Sequence, residues 1–270
     1  MKTCVLITTF NRGELLDKSL ERMTHLTLPD EILVVDDGSS DNTEAVVKGY
    51  FDRLPIRYIY NHNPDWSICS FARNIGVKNT DADLIITTEP EMIWVTDIVK
   101  IILEEREKHP KEIISASIIY HAQTQARFNP GFITDPETAL KTEIVEEYQT
   151  EPRSYHPQGY CKTTNMQATF IGSYEREWLL ELGGWDEEFP GCWGFDDIDL
   201  ATRLRINGVN QHICKRLEAI HQWHGHPPGD QWARDAHEND IYFREKSMQD
   251  KNSPYLIANK NKEWGVIKSR

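Results

Sequence analysis

The sequence has no long apolar run. Hydrophobic residues make up 39% of its 270 positions, which is enough for a core. No window approaches the roughly 18–20 consecutive apolar residues that span a bilayer. The first residues enter a strand-like run at once, without the charged, apolar and small-residue regions of a secretory signal. We therefore expect a soluble, cytoplasmic protein of one or two lobes, without a transmembrane segment.

Paired cysteines and an excess of basic charge are also missing. The five cysteines are scattered and odd in number, and none forms the CxxC pair of a zinc site or a disulfide framework. A reducing compartment fits this pattern. The formal net charge of −13 disfavours a large non-specific surface for nucleic acid or anionic lipid, since such surfaces depend on dense lysine and arginine.

Two common nucleotide-binding fingerprints are absent as well. The sequence contains neither GxGxxG nor GxxxxGK followed by serine or threonine. A dinucleotide site and a P-loop are therefore poorly supported.

The first half instead alternates short β-rich apolar runs with amphipathic segments. This pattern is typical of βαβ units whose helices cover both faces of a sheet. The predicted strands are Cys4–Thr8, Glu31–Val35, Arg57–Tyr60, Leu84–Thr88 and Ile113–Ile119. The predicted helices include Ser70–Asn79, Asp97–Lys108, Glu175–Leu182, Asp197–Asn207 and a segment near Asp235–Lys246. Between Tyr120 and Thr164 the periodicity fails, which is typical of a functional loop region.

Polar residues follow directly after three of the predicted strands. In an open α/β sheet, ligands lie at the carboxyl ends of the strands. The residues at these ends are Thr8, Thr9, Phe10, Asn11, Arg12, Asp36, Asp37, Glu89 and Glu91. Carboxylates and hydroxyls of this kind can hold a base and a ribose, which leaves a diphosphate to be neutralised by a metal ion.

Three segments resemble the family-2 inverting glycosyltransferases. They are ITTFNR at 7–12, VVDDGSSDNT at 34–43 and SFARNIG at 70–76. An Asp-Asp-Gly-Ser by itself is equally a simple turn, but all three segments occur in the order of that family. The resemblance implies an α/β fold of the GT-A type: a Rossmann-like mixed sheet flanked by helices, with an acceptor-side C-terminal extension.

The same resemblance implies a bound nucleotide, usually uridine diphosphate. Thr8 and Phe10 would contact the base, Asp36 or Asp37 would accept a hydrogen bond from it, and Arg73 would lie near the base and diphosphate. The nucleotide-binding residues implied are Thr8, Thr9, Phe10, Asn11, Arg12, Asp36, Asp37 and Arg73.

A metal-binding pair is expected at Glu89-Pro90-Glu91. The family places an Asp-x-Asp at the end of the corresponding strand, and this chain has two glutamates there. Carboxylates separated by one residue on an extended segment point to the same side, and oxygen ligands suit Mn²⁺ or Mg²⁺. Because glutamate is one methylene longer, Glu89 is alternatively a ligand through water. Alternatively, Glu89 and Glu91 are simply two solvated glutamates that bind no metal.

An acceptor-side motif is expected in the segment 183–204. Its sequence, GGWDEEFPGCWGFDDIDLATRL, resembles the acceptor motif of family-2 and galactosyltransferase-like enzymes. By that resemblance Asp197 is the catalytic base, and Trp193, Gly194 and Asp196 bind the acceptor. A carboxylate in a partly desolvated cleft can take the proton of an acceptor hydroxyl. Asp199 is equally well explained as a first-turn helix residue.

His221 is expected to be the third metal ligand, with His224 in reserve. In several GT-A enzymes a histidine completes the metal site, and it follows the helix that carries an acidic pair, here Asp196 and Asp197. The cluster HQWHGH is alternatively a separate zinc site or a loop stacked on Trp223. Neither alternative explains Glu89 and Glu91.

Together these features predict a metal-dependent glycosyltransferase, with a hexosyl group as the expected sugar. It would move the sugar from a nucleotide-sugar donor, with UDP expected, to a hydroxyl on a glycan or another acceptor, by one inverting displacement. Residues 1–119 would form the nucleotide-sugar half, 120–228 the acceptor and catalytic half, and 229–270 a polar helical tail. The alternatives are a non-catalytic nucleotide-sugar or glycan-binding module and a nucleotidyltransferase. The latter usually has a Gly-rich basic loop, which TTFNRGE does not resemble.

Overall fold

The computed structural model describes residues 1–63, 69–122, 131–139, 148–150, 171–222, 224, 230–247 and 257–269. Within these residues one mixed sheet has nine strands, in the order β3-β2-β1-β4-β8-β6-β9-β5, with β7 paired to β6. The strands are β1 Thr3–Thr9, β2 Glu31–Asp36, β3 Ile56–Tyr60, β4 Leu84–Thr88, β5 Met92–Trp94, β6 Glu112–Ala122, β7 Tyr148–Thr150, β8 Ile171–Glu175 and β9 Asn210–His221.

Strand directions divide the sheet into a parallel part and a mixed part. β1 runs parallel to both β2 and β4, and β2 runs parallel to β3. β8 is antiparallel to β4 and to β6, while β9 runs parallel to β6 and antiparallel to β5. The carboxyl ends of β1, β2 and β4 therefore open on one edge, where the predicted site residues lie.

Helices cover both faces of this sheet. They are α1 Gly13–Met23, α2 Thr43–Lys48, α3 Ser70–Asn79, α4 Ile98–Lys108, α5 Gly131–Thr134, α6 Arg176–Glu181, α7 Asp196–Ile206 and α8 Gln231–Ser247. Residues 136–139 are also helical.

The alternation of side chains in β1 separates two hydrophobic cores. Val5 and Ile7 belong to one cluster, with α1 and α4, whereas Cys4 and Leu6 belong to the other, with α3, α6 and α7. Successive residues of a strand point to opposite faces, so a fully buried strand contributes to both. The near-continuous apolar sequence of β1 follows from this position.

A glycine brings α3 against β1. A Cβ atom added to Gly76 would lie 2.3 Å from Leu6 Cδ1, so a larger residue here would require the buried Leu6 side chain to move. α3 carries Arg73, and its tight packing places that side chain at the site edge of the sheet.

The predicted fold class is confirmed: the sheet is mixed, of α/β type and flanked by helices. The five predicted strands are present, and α3 has the predicted bounds Ser70–Asn79. β5, β7, β8 and β9 were not predicted. β5 and β7 have only three residues each, and β9 alternates charged and apolar residues irregularly. Most of the predicted loop region 120–164 lies outside the described residues.

None of the helices described here is both long and apolar enough to cross a membrane.

Candidate active site

The two aspartates after β2 are held by neighbouring side chains. Asn61 Nδ2 donates to Asp37 Oδ1 at 2.6 Å, and Asn63 Nδ2 donates to Asp37 Oδ2 at 2.9 Å. The hydroxyl of Tyr58 donates to Asp36 Oδ2, and the backbone N–H of Ser39 donates to Asp36 Oδ1 at 2.8 Å. Both carboxylates are buried, so their orientation is set before any ligand arrives.

Asn11 ties the loop after β1 to the loop after β2. It adopts a left-handed backbone, with φ of 52°, which asparagine tolerates better than most residues. Its Oδ1 accepts hydrogen bonds from the backbone N–H groups of Ser40 at 2.8 Å and Asp41 at 3.2 Å. Its own N–H donates to Ser39 Oγ at 2.7 Å. The two predicted motifs therefore form one structural unit.

The other residues after β1 occupy the same edge. Thr8 and Thr9 are buried, Phe10 and Arg12 are partly buried, and Thr9 pairs in register with Asp36. Within the described part of the chain, Thr9 Oγ1 is buried without a hydrogen-bond partner. A buried hydroxyl without a partner is costly, and this one belongs to the residue paired in register with Asp36.

Arg73 connects three carboxylates. Its NH1 group lies 3.1 Å from Asp196 Oδ2 and 2.9 Å from Asp197 Oδ1, and its NH2 group lies 2.6 Å from Glu89 Oε1. Burial opposes its charge, yet these carboxylates raise the pKa of Arg73 well above its usual range. One buried cation thus joins the acidic pair at the start of α7 to the carboxylate after β4.

The two members of the acidic pair have different environments. The side chain of Asp196 is 7% exposed and also accepts from Ser70 Oγ at 3.3 Å, whereas that of Asp197 is 23% exposed. Burial raises the pKa of Asp196 to about 7, the charge of Asp197 adds to this increase, and Arg73 opposes it. Asp197 is therefore the more accessible of the two carboxylates.

Trp185 orients Asp197. Its Nε1 donates to Asp197 Oδ1 at 3.1 Å, the same oxygen that Arg73 contacts. The Arg73 guanidinium also lies 5.6 Å from the Trp185 ring centroid. Among the described residues, Asp197 Oδ2 has no hydrogen-bond partner, so this oxygen is available to a substrate.

Glu91, His221 and His224 form a cluster of possible metal ligands. One ligand atom from each lies within 4.8 Å of the others, and Glu91 Oε1 is 3.5 Å from His221 Nε2 and 3.4 Å from His224 Nε2. Burial opposes ionisation, but these histidines hold the pKa of Glu91 below its usual range. One carboxylate and two imidazoles suit a transition-metal ion such as Mn²⁺ better than Mg²⁺, which prefers oxygen.

The predicted ligands Glu89, Glu91 and His221 are only partly brought together. Glu91 and His221 meet because β5 and β9 are paired in the sheet, with Met92 opposite His221. Glu89 is instead directed to Arg73, and His224, the predicted reserve, lies in the cluster. Burial raises the pKa of Glu89, with Glu91 adding to the increase and Arg73 opposing it. His226 lies outside the described residues.

A second histidine cluster lies at the opposite end of β9. Glu105, His109 and His212 also have ligand atoms within 4.8 Å of one another. Glu105 Oε1 is already 2.8 Å from Lys108 Nζ and 2.9 Å from Arg216 NH1. The two imidazoles are stacked, with centroids 3.8 Å apart and planes tilted by 14°. This arrangement fits an ion-pair network rather than shared coordination of one ion.

The predicted acceptor residues lie on a turn that α8 holds. Trp193 is 46% exposed, and Gly194 has φ of 88°, which requires glycine. Asn239 of α8 donates from Nδ2 to the carbonyls of Gly191, Trp193 and Gly194 at 2.8 to 3.1 Å. Trp193 therefore lies in a held turn that directly precedes Asp196 and Asp197, the acidic pair at the start of α7.

Asp199 has a structural environment. It is fully buried, and its Oδ2 accepts from Arg203 Nε at 2.8 Å. Arg203 in turn donates to the carbonyls of Leu182 and Gly184. The interpretation of Asp199 as a helix residue therefore agrees with its contacts.

Several residues that shape this site were not predicted from the sequence. They are Trp185, Asn61, Asn63, Tyr58 and Asn239. Their roles depend on contacts between distant segments. The sequence signals were the polar Asn-His-Asn directly after the third predicted strand and the position of Trp185 inside the motif 183–204.

Comparisons with known proteins identify the family of the chain. Residues 4–178 match the model of "Glycosyl transferase family 2", which is more than half of the chain. The chain belongs to glycosyl transferase family 2. It is 26% identical over 247 residues to a chondroitin synthase of Pasteurella multocida, covering 83% of this chain and 25% of that protein. It is 28% identical over 248 residues to a validoxylamine A glucosyltransferase of Streptomyces hygroscopicus, covering 81% of this chain and 55% of that protein.

Solved structures with a similar fold are GT-A transferases. The mannosyltransferase PcManGT of Pyrobaculum calidifontis, in complex with GDP-Man and Mn²⁺, has a TM-score of 0.61 at 16% identity, over 94% of this chain and 68% of that one. TarS 1–349 of S. aureus, in complex with UDP-GlcNAc, has a TM-score of 0.60 at 15% identity, over 86% and 61%. The fold of this family-2 chain is therefore GT-A. The chain spans only about a quarter to half of the length of the curated relatives named above.

Proposed function

We propose that this family-2 chain transfers a hexosyl group from a UDP-sugar to an acceptor hydroxyl, with inversion at the anomeric carbon. The observation that supports this most directly is the contact of Arg73 with Asp196, Asp197 and Glu89. It brings the acceptor-side acids of α7 next to the carboxylates that follow β4. A single displacement needs a base and a stabilised leaving group on opposite sides of one sugar.

Asp197 is the proposed base. Its Oδ1 is held by Arg73 and Trp185, and Oδ2 is the oxygen proposed to face the acceptor. As the acceptor oxygen attacks the anomeric carbon, its proton passes to Asp197 Oδ2. The bond from the anomeric carbon to the phosphate oxygen breaks, and its electron pair leaves with the nucleoside diphosphate. Asp196 and Trp193 bind the acceptor.

Glu91, His221 and His224 are the proposed holders of Mn²⁺ (or Mg²⁺). When bound, the ion would supply positive charge to the departing diphosphate. Arg73 lowers the pKa of Glu89 and Glu91 raises it. Glu89 is proposed to bind the ion through a water molecule. The fit of this donor set and the Mn²⁺ named with PcManGT support the assignment.

The nucleotide site is proposed at the joined loops of β1 and β2. Thr8, Thr9, Phe10, Asn11 and Arg12 form one side. Asp36, Asp37 and Arg73 form the other. The complex named for TarS contains UDP-GlcNAc and that for PcManGT contains GDP-Man, so the identity of the base is the first point to test. A glycan is the proposed acceptor, and residues 120–228 are its proposed binding half.

A thermal-shift panel tests the donor. UDP-sugars, GDP-sugars and the free diphosphates are added with Mn²⁺, because a ligand that binds only the folded state raises Tm. We expect UDP compounds to raise Tm and GDP compounds to have little effect. A larger shift with GDP would replace the proposed base, and no shift with any nucleotide would contradict the function.

Donor hydrolysis tests catalysis. The wild-type chain should release UDP slowly from the matched UDP-sugar and faster when acceptor is added. Asp197→Asn should still bind UDP but lose most transfer, because the amide cannot accept the proton. The matched control is Asp52→Asn, an exposed turn residue. Near-normal transfer by Asp197→Asn would reject the base, and no turnover by the wild-type chain would favour a non-catalytic binding module.

A further inference from the structure

The segment 257–269, named here the C-terminal strap, contacts both the nucleotide half and the acceptor half of the chain. It lies beyond residues 4–178, the span of the family match. Its first contacts are with the acceptor half. Asn259 Nδ2 donates to the carbonyls of Gly183 at 2.8 Å and Trp185 at 2.7 Å, and its Oδ1 accepts from Glu187 N at 3.2 Å.

The middle of the strap packs on α3. The backbone N–H of Gly265 donates to Glu187 Oε1 at 2.9 Å. Lys78 Nζ lies 4.4 Å from the centroid of the Trp264 ring, and Trp264 packs against the core cluster that α3 lines. These contacts hold the strap on the molecule independently of its last residues.

The far end of the strap reaches the nucleotide half. The backbone N–H of Lys268 donates to Asn61 Oδ1 at 2.7 Å, and the Lys268 carbonyl accepts from His62 N at 2.9 Å. Asn61 is the residue whose Nδ2 donates to Asp37 Oδ1 at 2.6 Å. Lys268, Asn61 and Asp37 therefore form one hydrogen-bonded series.

This series determines which way the Asn61 amide faces. An asparagine amide has an accepting oxygen at one end and a donating nitrogen at the other. With its oxygen bound to Lys268 N–H, Asn61 must present its nitrogen to Asp37. A flipped amide would place its oxygen against a buried carboxylate, which is repulsive, and would leave the Lys268 N–H without its acceptor.

We propose that the C-terminal strap is a positioning element of the nucleotide site, in which the Lys268 backbone N–H acts through Asn61 on Asp37. The inference rests on the proposed function, since it assumes that Asp37 contacts the nucleotide. The strap lowers the cost of binding because Asp37 already has its binding orientation in the free protein.

One pair of substitutions at a single position tests the inference. Lys268→Pro removes the N–H and keeps the carbonyl, while Lys268→Ala keeps both backbone groups and removes the side chain. Val266, Ile267 and Lys268 are exposed, so neither change removes core volume. Both changes remove the Lys268 ammonium, which lies 5.5 Å from the centroid of the Phe71 ring, so the two variants differ in the backbone N–H. UDP affinity is measured by calorimetry in the presence of Mn²⁺, with Tm recorded for every variant.

We expect Lys268→Pro to weaken UDP binding about fivefold to tenfold, the effect of one orienting hydrogen bond. Lys268→Ala should bind like the wild-type chain. The variant Asn61→Ala should weaken binding by itself, and adding Lys268→Pro to it should cause no further loss, because both act through one contact.

The outcomes distinguish a failure of the inference from a failure of the proposed function. Equal UDP affinity for Lys268→Pro and the wild-type chain overturns the inference while the proposed function stands. Independent, additive losses at Lys268 and Asn61 also overturn it, because a strap that merely stabilised the fold would behave in that way. If the wild-type chain does not bind UDP, the proposed donor fails, and the inference fails with it.

Discussion

At the scale of single residues, the site contains more negative than positive charge. Arg73 is the cation shared by Glu89, Asp196 and Asp197, and Glu91 lies close enough to affect Glu89. Burial and like charge raise the pKa of Glu89 and Asp196, because their charged forms lack water and repel one another. Such an excess suits a site that receives a cation together with an anionic diphosphate.

The hydrogen bond from Trp185 to Asp197 should matter for turnover more than for binding. Trp185→Phe keeps an aromatic ring but removes the Nε1 donor, so Asp197 loses one of the two groups that orient it. We expect the rate of UDP release with acceptor present to fall about fivefold to tenfold, with UDP affinity unchanged.

Trp178→Phe is the matched control, since Trp178 is partly buried against the same core cluster and its ring lies 5.5 Å from the Arg106 guanidinium. Both variants lose indole volume. An equal loss of rate in the two variants would show that packing, and not the hydrogen bond, is responsible.

His224 should contribute to metal affinity as strongly as His221. His224→Ala removes one imidazole that lies 3.4 Å from Glu91 Oε1. Loss of a residue that hydrogen-bonds to a metal ligand commonly lowers metal affinity about tenfold or more. Loss of a direct ligand should lower it at least as much. Calorimetry with Mn²⁺ alone measures this without any assay of activity.

His237→Ala is its control, because His237 is an exposed residue of α8. Unchanged Mn²⁺ affinity in His224→Ala would limit the site to Glu91, His221 and other groups. It would also favour the predicted role of Glu89 as a direct ligand.

At the scale of secondary-structure elements, α8 holds the acceptor half together. Asn239 binds the turn that carries Trp193. Two turns of helix further along the chain, Lys246 Nζ lies 2.6 Å from Asp186 Oδ2 and 2.7 Å from Asp199 Oδ1. Both carboxylates are almost fully buried. The helix thus ties the segment before the turn to the helix after it.

Removing this buried cation should destabilise the fold strongly. Lys246→Met keeps much of the aliphatic length but leaves two buried carboxylates with one partner fewer. We expect the free energy of unfolding to fall by about 3 kcal/mol, since breaking a buried ion pair from one side leaves an uncompensated charge. Urea denaturation followed by circular dichroism measures the change.

Arg244→Met, on the same helix, serves as the comparison. Arg244 pairs with Asp240 at 2.8 Å but its side chain is 68% exposed, so its loss should cost less than about 0.5 kcal/mol. Similar effects of the two substitutions would contradict the role assigned to Lys246.

At the scale of the whole molecule, the family match and the folded unit have different extents. The match ends at residue 178, yet β9 lies inside the sheet between β6 and β5. α7 contributes Leu200, Ala201 and Leu204 to the core cluster shared with β1 and α3. Residues 4–178 therefore do not include β9 and α7, which complete the sheet and the core cluster.

A fragment of residues 1–178 should fail to fold cooperatively. It exposes the apolar surface that α7 covers and leaves β5 and β6 without the strand between them. Thermal unfolding followed by near-ultraviolet circular dichroism should show no cooperative transition, in contrast to the chain of 270 residues. A sharp transition in the fragment would show that residues 4–178 are an independent domain.

Much of the parallel part of the fold was predictable because local patterns decide it. β1, β2 and β4 are short apolar runs followed by polar residues, and α3 has a clear start and end. β9 was not predictable because buried and exposed residues do not alternate regularly along it. Its place in the sheet depends on pairing with β6 and β5, which are distant in sequence. Its pairing with β5 is nevertheless what places His221 beside Glu91.

The sequence by itself determined the sheet type, the loops that meet at its edge and the set of carboxylates and histidines at the site. Only the tertiary structure decided how these groups are shared. Glu89 turns to Arg73, His224 joins Glu91, Trp185 holds Asp197, and the C-terminal strap reaches Asn61. Periodicity and motifs act over a few residues, whereas these contacts join segments up to 207 positions apart. Their geometry depends on how the sheet and its helices pack.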